Sequence, residues 1–202
     1  MEKIDYKKEL QEFYRASAKR IDVVQVPKMN YLMIDGSGPP ASQEYTDAVE
    51  ALYTVAYTLK FMIKKGPANL DYGVLPLEGL WWAEDMSDFE IDNKDKWIWT
   101  MMIMQPNLVT KTLVNSATKQ VNEKKTLPSL AKLKFEAFSE GKSAQTLHIG
   151  PFSEEGPTVN RVHSHIWNSG YELSGKHHEI YLTDIRRAAP ENWKTIIRQP
   201  MT

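Results

Sequence analysis

Two glutamates stand beside large aromatic residues, and that pairing is the first chemistry the chain offers. Glu78 lies in Leu75-Pro-Leu-Glu-Gly-Leu-Trp-Trp82, and Glu179 lies in His177-His-Glu-Ile-Tyr-Leu-Thr-Asp184. A hydrophobic core has no use for a carboxylate, so an acidic residue in such an apolar run needs a partner or a ligand. A carboxylate flanked by Trp and Tyr attracts flat, cationic or polarised molecules through its charge and the ring quadrupoles together. Partly desolvated, it also becomes a competent general base near neutral pH.

Alternation along a strand from 72 to 82 places Tyr72, Val74, Pro76, Glu78, Leu80 and Trp82 on one face. A bulge at Pro76 or Gly79 would bring Trp81 to that face as well. In the second run His177, Glu179, Tyr181 and Thr183 share a face. The competing structural reading is that both glutamates meet solvent on edge strands.

Other chemistries find less support. The five histidines are His148, His163, His165, His177 and His178; the helical and strand spacing of the last four turns neighbours apart, so no metal site is expected. Gly36-Ser-Gly-Pro-Pro40 lacks the Lys-Ser/Thr of a phosphate loop, and its prolines remove the amides that would cradle an anion. No G-x-S-x-G elbow is present, and no cofactor is implied. The chain has no cysteine, which removes thiolate chemistry and fits a reducing cytoplasm. Net charge is −1, so no large electrostatic term favours nucleic acid or anionic membrane. The charged N-terminus and the lack of a long apolar run give the expectation of a soluble cytoplasmic protein.

The elements that must hold the glutamates repeat. Trp99-Thr-Met-Met-Ile-Met-Gln-Pro106 aligns without gaps with Trp193-Lys-Thr-Ile-Ile-Arg-Gln-Pro200, and the same order of elements precedes each. Tyr31 to Gly36 and Ala144 to Gly150 read as buried strands ending at Gly and Pro. A helix follows each: one with the stripe Tyr45, Val49, Leu52, Ala56, Leu59, Ile63, capped by Ser42 and ended by Gly66-Pro67, the other with Val159, Val162, Ile166 and Trp167. The glutamate-bearing strand and the Trp…Gln-Pro strand complete each copy.

The expectation is therefore an α+β domain over residues 1–202. Two strand–helix–strand–strand units share an antiparallel sheet, with helices on one face and a concave ligand cleft on the other. Repeat 1 spans about 23–106, a connecting helix capped by Thr110 about 107–130, and repeat 2 about 131–202. A packing helix is expected over 4–14. His148 and Trp167 are expected to pack in the core.

These runs, with Leu147-His-Ile-Gly-Pro151 and Arg186-Arg187, resemble the GyrI-like small-molecule-binding proteins, in their stand-alone branch of roughly 200 residues. The resemblance covers nearly the whole chain from Tyr31 onward. It implies a cleft lined by aromatics and acidic residues, and nothing here resembles the helix-turn-helix of the family's drug-sensing regulators. Some stand-alone members are cyclopropanoid cyclopropyl hydrolases, which open the strained ring of DNA-alkylating compounds and so detoxify them within an aromatic cage. Carried onto this chain, the resemblance makes Glu179 and Glu78 the residues to orient or deprotonate water. Tyr181 would bond the dienone oxygen, and Tyr72, Trp81, Trp82, Trp99 and Tyr181 would form the cage walls. Which glutamate is the base stays open, as does a non-catalytic alternative that sequesters planar aromatic or cationic drugs. The expected partner is a small aromatic or electrophilic molecule; no nucleic acid or membrane is expected, and no protein partner is indicated.

Overall fold

A computed structural model of the chain describes residues 2–40, 42–85 and 91–202. Its elements run β1 (Glu2–Ile4), α1 (Tyr6–Glu9), α2 (Gln11–Tyr14), β2 (Asp22–Ser37), α3 (Gln43–Lys65), β3 (Leu70–Tyr72), β4 (Leu77–Trp82), β5 (Ile98–Gln105), α4 (Lys111–Asn122), β6 (Lys134–Ile149), α5 (Gly156–Asn168), β7 (His177–Tyr181) and β8 (Lys194–Pro200). The order β2–α3–β4–β5, with the short β3 inserted after α3, and then β6–α5–β7–β8 gives strand–helix–strand–strand twice apart from that insertion. The fold is α+β with antiparallel sheet, and it divides into two compact units.

The first unit holds residues 1–9, 29–75 and 82–138. Here β2 pairs antiparallel with β5 from Asn30↔Gln105 to Ser37↔Ile98. The helix α3 starts because Ser42 accepts a hydrogen bond from the Tyr45 amide, and it reaches Gly66 as its C-cap. It buries Leu52, Leu59 and Ile63 with Ala48, Ala51 and Ala56 between them, and packs on β5, β3 and α4. Each buried Leu or Ile contributes about 1.5–3 kcal/mol, and the alanines let the backbones approach closely. Thr110 caps α4 through the Leu113 amide.

The second unit holds residues 10–28, 76–81 and 139–202. Its antiparallel sheet has the order β4–β7–β8–β6. In-register pairs put Leu77, Gly79 and Trp81 on the same face as His177, Glu179 and Tyr181, continued by Thr195, Ile197 and Gln199 on β8. The helix α5 covers this face: Val162 and Ile166 pack with Ala144, Ile197 and Met201. The opposite face carries Glu78 and Leu80, His178 and Ile180, Arg198 and Gln145.

Three expectations change. The segment 4–14 is not one helix: β1 pairs parallel with β3, and two four-residue helices follow, separated at Leu10, whose ψ of 31° leaves helical geometry. The strand read from 72 to 82 is two strands, because Gly73 to Pro76 join no ladder and Pro76 has no amide hydrogen to donate. Tyr72 therefore pairs with β1, while β4 keeps an unbroken register with β7 and Trp81 faces away from Glu78. Trp167 is 52% exposed at the end of α5, outside the core, whereas His148 is buried.

Candidate functional site

The two glutamates expected to act together emerge on opposite faces of the second unit's sheet. On the face away from α5, Glu78 is 0% exposed. Tyr14 donates to its Oε1 at 2.6 Å, and His178 Nε2 lies 3.0 Å from Oε2. The other nitrogen of His178 lies 2.8 Å from Glu140 Oε1, and Arg198 Nη1 donates to Glu140 Oε2 at 3.0 Å. Arg198 also donates to Gln145 Oε1 and to the Phe13 carbonyl, and Gln145 donates to the Glu12 carbonyl.

Burial alone would lower the His178 pKa, but Glu140 and Glu78 outweigh it and hold the ring up to about 9. Burial would likewise raise Glu140, yet His178 and Arg198 bring it down to about 2. The imidazolium thus donates from both nitrogens, one to each carboxylate. Two cations offset two anions, and the hydrogen bonds satisfy groups that burial would otherwise penalise heavily. Any ligand that used Glu78 would first have to displace Tyr14 or His178.

On the α5 face, Glu179 keeps 14% of its side chain exposed and bonds His177 Nε2 at 3.1 Å. Trp81 donates to the Tyr181 hydroxyl at 3.0 Å. Gly79, with no side chain, sits opposite Glu179 in the register, between the two rings. Phe152 meets Tyr181 edge-on, with centroids 5.7 Å apart, and leans on Trp193 at 4.9 Å. A continuous aromatic chain, Trp81–Tyr181–Phe152–Trp193, thus starts from two residues that share the sheet face of Glu179. Indole is a donor only, so Tyr181 is the acceptor in its bond with Trp81.

A second carboxyl senses the first. Glu155, at the start of α5, is buried, and burial first, then the charge of Glu179, raises its pKa to about 9.

Glu179, Tyr181 and Trp81 are therefore brought together, and Glu78 is separated from them by the sheet. Tyr72 and Trp99 belong to the first unit's core. Tyr72 meets Tyr6 edge-on, and burial raises its hydroxyl above the ordinary phenol range. Trp99 is fully buried against Tyr45. Trp82, in the same unit, is half-buried. Among the described residues no group of three or more His, Asp or Glu side chains is arranged to hold a metal.

Glu155, Phe152, Trp193, Tyr14, Glu140 and Arg198 escaped the sequence reading. Arg198 was legible in part, since an arginine after Thr195-Ile-Ile197 in a strand calls for a buried partner. Glu155 gave little signal, because Glu-Glu-Gly-Pro before a helix reads as a solvated first turn.

This chain belongs to the GyrI-like small-molecule-binding domain family, whose model matches residues 19–201. It is similar in structure to an uncharacterised conserved protein from Listeria innocua, with 39% identity, a TM-score of 0.91, and 98% of this chain and 100% of that one covered. A hydrolase from the same organism aligns at 40% identity and a TM-score of 0.89, over 100% of both chains. The C-terminal domain of EcmrR shares the fold alone, at 12% identity and a TM-score of 0.55, over 91% of this chain and 97% of that domain. A search of curated proteins found no match. Among the described residues no helix is long and apolar enough to cross a membrane.

Proposed function

We propose that this protein is a hydrolase of small xenobiotics that adds water to the cyclopropyl ring of DNA-alkylating cyclopropanoids and so detoxifies them. The observation that carries this reading is the partly exposed Glu179 carboxyl on the sheet face it shares with Trp81 and Tyr181, from which the aromatic chain continues to Phe152 and Trp193. Family membership supports small-molecule binding, and the similar Listeria innocua hydrolase supports hydrolysis.

In this reading the aromatic chain stacks a flat dienone, and Glu179 takes a proton from water as its oxygen bonds the cyclopropyl carbon. The ring C–C bond breaks, and its electron pair moves through the dienone to the carbonyl oxygen. The Tyr181 hydroxyl bonds that oxygen as charge builds there. A solvent proton then completes the phenol while Glu179 returns its proton to solvent, so the sum is substrate plus one water. Ring strain supplies much of the drive, so one base and one donor suffice.

The test is incubation with a panel of planar electrophiles that includes a cyclopropyl dienone, followed by mass spectrometry. A product heavier by one water is expected. An unchanged mass with quenched Trp fluorescence would instead point to sequestration, which a carboxylate beside stacked rings also supports for planar cations.

A further inference from the structure

On the first unit, a groove of about 600 Å³ opens along α3 where it packs on α4. Tyr57, Phe61 and Lys65 line it at successive four-residue steps of α3, so two rings and an ammonium stand in a row about 12 Å long. Thr58 and Met62 form the neighbouring row, and Gln120 lines the groove from α4. Tyr57 is 48% and Phe61 47% exposed, and Tyr53 stacks on Tyr57 with centroids 6.3 Å apart. Single exposed rings are ordinary on a surface; two that share a groove, with a third stacked beside them, call for an occupant.

The helices that form the groove carry charge of one sign. From Ala51 to Lys65, α3 has Lys60, Lys64 and Lys65 and no acid; α4 has Lys111 and Lys119 and no acid. Lys60 and Lys64 share the one carboxylate of Asp71, and Lys125, just past α4, pairs with Glu50. Among the described residues Lys65 has no carboxylate within ion-pair distance. The ammoniums of Lys60 and Lys65 lie 5.6 and 6.0 Å from the centre of the Phe61 ring. A molecule lying on that ring therefore meets positive charge at its edge. Planar cations are disfavoured here, and a second copy docked two-fold on this face would set lysines against lysines. The volume is that of a small-molecule site.

We propose that the α3–α4 groove binds a flat aromatic carboxylate, whose rings lie on Tyr57 and Phe61 and whose carboxylate meets Lys65. Occupancy of the groove does not depend on the hydrolase reading, which uses Glu179 of the second unit.

The test is a titration of isotope-labelled protein with 2-naphthoate, followed by NMR. Amides of residues 54–65 and 117–121 should shift saturably. The uncharged 2-naphthamide, of matching size, should bind about 2- to 5-fold more weakly, and added salt should narrow that gap. Lys65→Gln should weaken 2-naphthoate by about the same 2- to 5-fold and leave 2-naphthamide unchanged. Phe61→Ala, at an exposed position, should weaken both ligands by about 10-fold. Equal affinities of wild type for the two ligands, an unchanged 2-naphthoate affinity in Lys65→Gln, or shifts confined to residues 177–200 would overturn the proposal. So would sedimentation showing a dimer in wild type and a monomer in Phe61→Ala, which would assign the face to a second copy.

Discussion

Glu78 and Glu179 point from opposite faces of one sheet, and their neighbours give them different roles. Glu78 is one carboxylate of a buried network in which His178 and Arg198 supply the cations. Removing one member leaves charge uncompensated where water cannot reach it. Glu140→Gln should therefore cost about 3–5 kcal/mol in urea unfolding. A loss below about 1 kcal/mol would show that the network does not hold the fold. Strand alternation let the sequence show that His177 and His178 face apart and that His177, Glu179 and Tyr181 share a face. It could not show that Tyr14 and Glu140 converge on Glu78 and His178, because those contacts join residues 64 and 38 positions apart. No local pattern records such pairings.

The elements were more legible than their contacts. Ser42 and Thr110 cap the helices that their positions announced, and the Trp…Gln-Pro strands close both copies. The N-terminal helix and the 72–82 strand were misread because tertiary pairing overrode local pattern: β1 and β3 take each other as partners. The two Trp residues of the repeat have diverged. Trp193 joins the aromatic chain, whereas Trp99 fills the core opposite Gly36 in the β2–β5 register. A Cβ on Gly36 would meet the Trp99 ring at 2.2 Å. Gly36→Ala should therefore destabilise by about 1–3 kcal/mol through overpacking. A neutral melting temperature would contradict this placement of Trp99, and adding Trp99→Leu should relieve part of the loss.

For the whole molecule, the buried titrating groups set how stability follows pH. Glu155 is raised from 4.5 to about 9 and His178 from 6.5 to about 9, so each keeps a proton that the unfolded chain gives up sooner. Their contributions are full below pH 4.5 and 6.5 respectively and disappear as pH rises through about 9. Glu140 is lowered from 4.5 to about 2, so its contribution is present above 4.5 and lost as pH falls toward 2. The unfolding free energy in urea should peak near about pH 5 and decline toward pH 9, by up to about 1.4 kcal/mol per pH unit for each raised group inside its window, and the midpoint should follow it. Glu155→Gln should flatten that decline. A midpoint that climbs between about pH 5 and 9 would contradict these assignments.

The central claim is that Glu179, among its aromatic neighbours, is the base that adds water to the ligand. The most direct measurement is the initial rate at which Glu179→Gln hydrates a cyclopropyl dienone, at matched folded concentration and beside wild type. Loss of turnover to the uncatalysed rate, with probe binding retained by Trp fluorescence, is the predicted result. Turnover of Glu179→Gln at the wild-type rate would contradict the account.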